Sequence, residues 1–202
     1  MFAKSPSILK KIFPDLVWEI KTTNKEIFLT FDDGPHPKIT PQVLKILDEF
    51  DVKATFFCVG ENIDKHPDTY KLIISNGHKT GNHSYNHLNG WKTSNANYFA
   101  NIEKADKLIN SKLFRPPYGR ISLSQIKPLS KIYSIIMWTV LTYDFDQKVS
   151  RKQCLSNSIK NTNTGSIVVF HDSLKAADNL LYALPLFLKH FLDRGYSFSL
   201  LQ

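Results

Sequence analysis

The sequence predicts an α/β fold built on a parallel sheet, and three observations predict it. Strand-like apolar runs at 27–31, 54–59, 132–138, 167–170 and 197–201 alternate with helical stretches. Such alternation implies parallel strands joined by right-handed crossovers. Most of the chemically able residues follow directly on a strand-like run, which is where barrel enzymes assemble their sites. With 202 residues and 42% hydrophobic content, the chain is long enough to bury one full core. It shows no linker, internal repeat or low-complexity tract, so one domain is expected.

The elements follow in order. Residues 1–14 carry lysines inside a short apolar stretch (Ile8, Leu9, Ile12, Phe13) and no small-residue cleavage site. They do not read as a signal peptide. The expectation is an arm over 1–26, or a docking helix within it, packed on the domain across the bottom of the barrel. The first strand, 27–31, runs into Asp32-Asp33-Gly34-Pro35. A strand that stops at a turn frees neighbouring side chains to point into one mouth. Two carboxylates there can divide labour, one holding a metal and the other acting as a base; an Asx-type turn is the structural alternative. The helix expected at 41–50 has Thr40 as cap, Pro41 in its first turn, and Val43, Ile46, Leu47 and Phe50 on one face. The run at 54–59 places Phe56 and Phe57 in the core.

A short strand-like segment at 77–82 leads into His83-Ser84-Tyr85-Asn86-His87. On a helical turn, imidazoles four residues apart share a face and can grip one ion. With one Asp they make a three-ligand site with open positions, as a catalytic metal requires. Imidazole and carboxylate without thiolate suit a divalent ion such as zinc, with cobalt or iron also admissible. A helix over 97–112 precedes Arg115-Pro116-Pro117-Tyr118-Gly119. Two prolines stiffen this loop enough to aim the Tyr118 amide at a developing oxyanion, and Arg115 can orient a carboxylate. The run 132–138 holds Trp138, and the buried-type strand 167–170 ends at His171, a natural general acid. Taken singly, Arg115 reads as a surface ion pair and His171 as a satisfied core histidine. The last helix, 179–194, contains Pro185, which kinks it or starts it, and stops at Gly195.

Read as a series, these segments resemble the polysaccharide deacetylases, the NodB-homology domain of carbohydrate esterase family four. The resemblance rests on Thr30–Pro35, His83–His87 and Arg115–Gly119, and runs from about residue 27 to 201. It implies a distorted, incompletely closed (β/α) barrel over 27–202. It implies Asp32 as general base held by Arg115, with Asp33, His83 and His87 on the metal. The Tyr118 amide would then meet the oxyanion, and Asp144 would support His171. The fourth motif departs from the family, since Leu141 replaces an Asp and Phe145 a groove tryptophan; the fifth, Val169-Phe170-His171, differs by one apolar residue. Pro116, Tyr118, Phe145 and Trp91 are the expected substrate wall. The implied activity is metal-dependent removal of acetyl groups from an N- or O-acetylated glycan such as peptidoglycan or chitooligosaccharide. A small-amide hydrolase, a non-haem iron oxygenase and a glycan-binding pseudoenzyme are the rival readings.

The net charge of +8 comes from 22 lysines and four arginines spread along the chain. No clustered basic run or reading motif supports nucleic-acid binding. No apolar run approaches the roughly 18 residues needed to span a bilayer, and a cytoplasmic location is expected. Cys58 and Cys154 read as reduced structural thiols. The oligomeric state is left open.

Overall fold

The computed structural model describes residues 3–202. The chain opens with α1 (Ser7–Ile12), β1 (Leu16–Val17), β2 (Glu26–Asp32), α2 (Thr40–Glu49) and β3 (Thr55–Cys58). Then come α3 (Gly60–Lys65), α4 (Pro67–Ser75), β4 (Lys79–Asn82), α5 (Asn95–Ile109), β5 (Leu113–Phe114) and α6 (Leu123–Leu129). The chain finishes with β6 (Ser134–Ile136), β7 (Val140–Leu141), α7 (Arg151–Asn161), β8 (Ile167–His171), α8 (Ala177–Leu192) and β9 (Ser197–Phe198). The strands pair in parallel in the order β1-β6-β5-β4-β3-β2-β8-β7, with β9 added to the start of β2. This is the incompletely closed α/β barrel that the sequence predicts.

Strand alternation sorts β2 into two faces. Ile27, Leu29 and Phe31 pack in the layer beneath the helices, with Val43 and Leu47 of α2 and Leu184 and Phe187 of α8. Phe28 points into the barrel, where it meets Phe57, Leu113, Ile136 and Leu201. Thr30 and Asp32 share its face by the same period. Each fully buried Phe or Leu contributes about 1.5–3 kcal/mol, and rings such as Phe31 and Phe56, stacked at 4.8 Å, hold β2 and β3 in register.

The N-terminal segment reaches the bottom of the barrel only around residues 19–20, where Ile20 N–H donates to Gly165 O just before β8. Before that, residues 3–18 run along the seam that β1 and β7 leave between them. Ser5 N–H donates to Thr139 O, Leu141 N–H donates to Ala3 O, and Thr139 Oγ1 donates to Trp18 O. Edge strands expose unpaired backbone groups, and this segment satisfies them. The bottom is plugged by Leu201, whose N–H donates to Thr55 Oγ1 at the start of β3, with Ile20 packed on the same cluster. The expected strand 197–201 is therefore paired only over β9 before it turns inward. The expected strand 132–138 shortens to β6 because the turn closing α6 claims Tyr133 N–H for Leu129 O and leaves Ile132 exposed. Helix α5 ends before 112, at Asn110 in the left-handed region (φ 48°). Pro185 lies well inside α8.

Helices α3, α4, α6 and α7 were not anticipated. The amphipathic signal is weak in α7, which buries only Cys154 and Ser158 fully and owes its place to packing on α8. Both cysteines are free and buried, and burial pushes both thiols upward in pKa. Among the described residues, no helix is long and apolar enough to cross a membrane.

Candidate active site

The parallel register gathers the predicted residues at the C-terminal ends of the strands. Asp32 of β2 lies opposite His171 of β8. Asn82, last residue of β4, pairs with Phe114 of β5, so His83 and Arg115 emerge side by side, and Arg115 N–H donates to Asn82 O at 2.9 Å. The resulting cleft, of about 750 Å³, is lined by Asp32, Asp33, His83, His87, Tyr118, Phe145 and His171, among others.

Asp32 ends its strand with its side chain inward, only 3% exposed. Arg115 Nη1 donates to Asp32 Oδ1 at 2.7 Å and to Thr30 Oγ1 at 2.8 Å. Its Nε and Nη2 donate to the carbonyls of Ile136 and Met137, and its guanidinium lies 4.1 Å over the Phe57 ring. Each of the three guanidinium nitrogens thus donates, which fixes one orientation of the Asp32 carboxylate. Thr30 and Phe57 are parts of this arrangement that sequence reasoning missed. Alternation gave the available signal, since Thr30 shares the inward face of Asp32.

Asp33 turns away into the cleft because its φ is 77°. Asn62 of α3 fixes that turn by donating to Asp33 O at 2.7 Å. Position 34 must be glycine. A Cβ there would stand 2.1 Å from Asp172 Oδ2, a buried carboxyl that also accepts from Thr40 Oγ1.

His83 and His87 converge, but not on a helical turn. Residues 83–87 form an irregular loop with Ser84 at φ 61° and His87 at φ 55°. Side chains replace the missing helical ladder: Asn82 Oδ1 accepts from Ser84 N–H, Asn101 Oδ1 accepts from the N–H groups of Tyr85 and Asn86, and Ser84 Oγ accepts from Leu88 N–H. The first turn of α3 adds two more bonds, Gly60 N–H to Ser84 O and Glu61 N–H to Tyr85 O.

Three donor atoms, one each from Asp33, His83 and His87, lie within 4.8 Å of one another. Asp33 Oδ1 is 3.1 Å from His87 Nε2 and 3.7 Å from His83 Nε2. Tetrahedral donors about 2.1 Å from a zinc ion stand about 3.4 Å apart, between those two values. The protonation states also fit a cation. Burial, opposed by the field of Asp32, holds His83 down at about 4, so its imidazole is neutral. Its Nδ1–H donates to Arg115 O at 2.7 Å, leaving the Nε2 lone pair for the cluster. Burial works against ionising Asp33, yet the His87 hydrogen bond and the fields of His171 and His83 hold it well below the usual carboxylate range.

His171 Nδ1 lies 2.8 Å from Asp144 Oδ1, while His171 N–H donates to Asp144 Oδ2 at 2.7 Å. Asp144 is fully buried, and its Oδ1 also accepts from Phe145 N–H. Burial disfavours a charged His171, but Asp144, with Asp33 and Asp32 behind it, outweighs this and raises the imidazole to about 9. His171 is therefore a cation at neutral pH, with a proton to give.

The expected substrate wall is only partly present. Phe145 lines the cleft and packs edge-on against His171 at 4.8 Å. Tyr118, in the left-handed region (φ 60°) after the two prolines, lines it too and packs on His87 at 4.5 Å. Pro116 is buried and is not part of the cleft lining. Trp91 lies outside the cleft as well. It lines a neighbouring apolar cavity of about 290 Å³, held there by its Nε1–H donating to Ile121 O.

Comparison with known proteins agrees with this arrangement. The model of the polysaccharide deacetylase family matches residues 19–132. A peptidoglycan-N-acetylglucosamine deacetylase of Bacillus cereus is 38% identical over 73% of this chain, a match spanning 56% of its own length. A second protein of that name and organism is 32% identical over 91% of this chain and 89% of itself. Among solved structures, the Bc1960 peptidoglycan N-acetylglucosamine deacetylase, in complex with 4-naphthalen-1-yl-N-oxidanyl-benzamide, superposes with a TM-score of 0.90 at 31% identity, covering 98% of this chain and 95% of that one. The motif series, the half-closed barrel and these likenesses have one common explanation: the chain belongs to the polysaccharide deacetylase family.

Proposed function

We propose that this chain hydrolyses acetyl groups from an N-acetylated glycan, with residues 27–202 as the catalytic domain and 1–26 as an arm packed on it. The observation that carries the reading is the convergence of Asp33, His83 and His87 beside an Asp32 whose carboxylate is already oriented by Arg115. Two imidazoles and one carboxylate suit zinc, with cobalt or another divalent ion as a replacement. A divalent ion held there supplies Lewis acidity toward a water and an acyl carbonyl.

The remaining work falls to the chain's own residues. Asp32 takes the proton of the attacking water, since its Oδ1 is tied to Arg115 and the carboxylate has a second oxygen to use. The backbone N–H of Tyr118, in a loop stiffened by Pro116 and Pro117, donates to the oxyanion; one such donor is worth about 10²–10³-fold in rate. His171, oriented by Asp144, protonates the departing sugar nitrogen. Phe145 and Tyr118 offer ring faces to the sugar. An acid matched to an amine leaving group and an Asp32–Arg115 pair outside the ligand set both weigh against an iron oxygenase.

Acetate release from chitooligosaccharides, peptidoglycan, acetylated xylan and small amides tests the proposal. Release from the N-acetylated glycans is the expected outcome. Turnover confined to small amides, or to xylan esters, contradicts it. A cell-wall substrate would place the working protein outside the membrane, against the cytoplasmic expectation, and fractionation of the native cells decides between them.

A further inference from the structure

The acids lining the cleft are Asp32 and Asp33, and both are committed: Asp32 to Arg115, and Asp33 to the two histidines. Two cations on the same lining, Arg120 and Lys175, have no anionic partner among the described residues. Aromatic rings hold them instead. The Arg120 guanidinium stands 5.2 Å from the centre of the Trp91 ring, itself anchored through Ile121. Lys175 Nζ stands 5.7 Å from the centre of Phe145, the ring that packs against His171. Arg120 comes from the loop after β5 and Lys175 from the loop after β8. Between those strands in the sheet lie β4, β3 and β2, which carry the ligands and Asp32. A glycan laid across the metal centre therefore meets a positive group toward either end of its path. A neutral sugar chain gains nothing from these charges, whereas a chain bearing carboxylates beside its acetamido sugars does. The net charge of +8 adds to the attraction at longer range.

We propose that Arg120 and Lys175 set specificity, favouring an N-acetylated glycan that carries carboxylate substituents over a neutral one of equal length. Peptidoglycan strands have this chemistry, on the lactyl ethers of their muramyl sugars and on their stem peptides; chitooligosaccharides lack it. The inference rests on the deacetylase reading above and names the substrate class for that same site.

The test compares kcat/KM for acetate release from three tetrasaccharides: alternating N-acetylglucosamine and N-acetylmuramic acid, the same molecule with its carboxylates converted to carboxamides, and N-acetylated chitotetraose. The charged form is expected to be preferred over its carboxamide, with each cation contributing about two- to fivefold through KM and the preference shrinking as salt rises. Arg120→Gln and Lys175→Gln each lower the charged-to-carboxamide ratio, the double variant brings it near unity, and Arg120→Lys restores it. A fragment carrying a stem peptide, compared with one lacking it, shows which carboxylate is read. A wild-type ratio near unity overturns the proposal. So do variants that weaken charged and carboxamide substrates equally, because the two side chains would then be mere groove wall. Acetate release from none of the three overturns the deacetylase reading as well, which separates the two failures.

Discussion

Arg115, the largest fully buried side chain among the described residues, donates through one nitrogen to both Asp32 Oδ1 and Thr30 Oγ1, at 2.7 and 2.8 Å. A charge this deep persists because each guanidinium nitrogen has an acceptor: the Ile136 and Met137 carbonyls and the Phe57 ring complete its surroundings.

Removing it leaves a carboxylate without a partner. Arg115→Met is expected to cost about 3–5 kcal/mol of stability and to abolish acetate release. Arg115→Lys, a point charge without the fork, is expected to retain more stability and still lose most turnover. Denaturant unfolding and kcat, measured on both variants, check this; full activity in either contradicts the role given to the pair.

The His171–Asp144 pair predicts a pH dependence. His171 is raised to about 9 from 6.5, so its proton is present at neutral pH and kcat should fall as pH rises through about 9. The same pair stabilises the fold fully below 6.5, and that contribution is lost as pH rises through about 9. Asp144→Asn removes the charge that holds the proton, and the high-pH limb of the rate profile should move to lower pH. An unmoved limb assigns the titration to another group.

Asp172 has the opposite sense. Burial, opposed by the Thr40 hydrogen bond and aided by the Asp33 and Asp32 charges, raises its carboxyl to about 7 from 3.8. A raised acid binds its proton more tightly when folded, so stability should decline as pH climbs from about 3.8 through about 7. Asp172→Asn keeps an acceptor for Thr40 and is expected to flatten that decline. Unfolding midpoints across this window provide the check.

The loop 83–87 owes its shape to side chains, Asn101 above all. Asn101→Ala frees the amides of Tyr85 and Asn86 and should weaken zinc binding about 10–100-fold, with kcat recovering at saturating zinc. Direct zinc titration distinguishes this from a catalytic defect, in which affinity would be unchanged.

How much of this was legible in the sequence follows from the range of the interactions. Strands buried on both faces, such as 27–31 and 167–170, announce themselves by composition, and the ligand residues by their types and order. Residues 83–87 do not form the helical turn that the His83–His87 spacing suggests, because spacing alone cannot see Asn101, which pins a non-helical loop from α5, or the local bond from Ser84 N–H to Asn82 Oδ1. Pro116 and Trp91 fall outside the lining of the cleft for a related reason: proximity to a motif in sequence does not say which side of a loop meets the cleft. Most of the N-terminal segment follows the seam and only residues 19–20 reach the bottom, because nothing local in the sequence records that β1 and β7 leave a seam. Thr30 was visible in principle, two residues before Asp32 on an alternating strand.

The central claim is that Asp33, His83 and His87 hold one ion while Asp32 does the proton transfer without holding it. Zinc content and acetate release, measured on the same preparations of wild type, His83→Ala and Asp32→Asn, test it most directly. The account predicts one zinc per wild-type chain, loss of both zinc and turnover in His83→Ala, and in Asp32→Asn a full complement of zinc with turnover reduced by about 10²–10⁴-fold. An Asp32→Asn protein that loses its zinc, or one that keeps wild-type turnover, would contradict it.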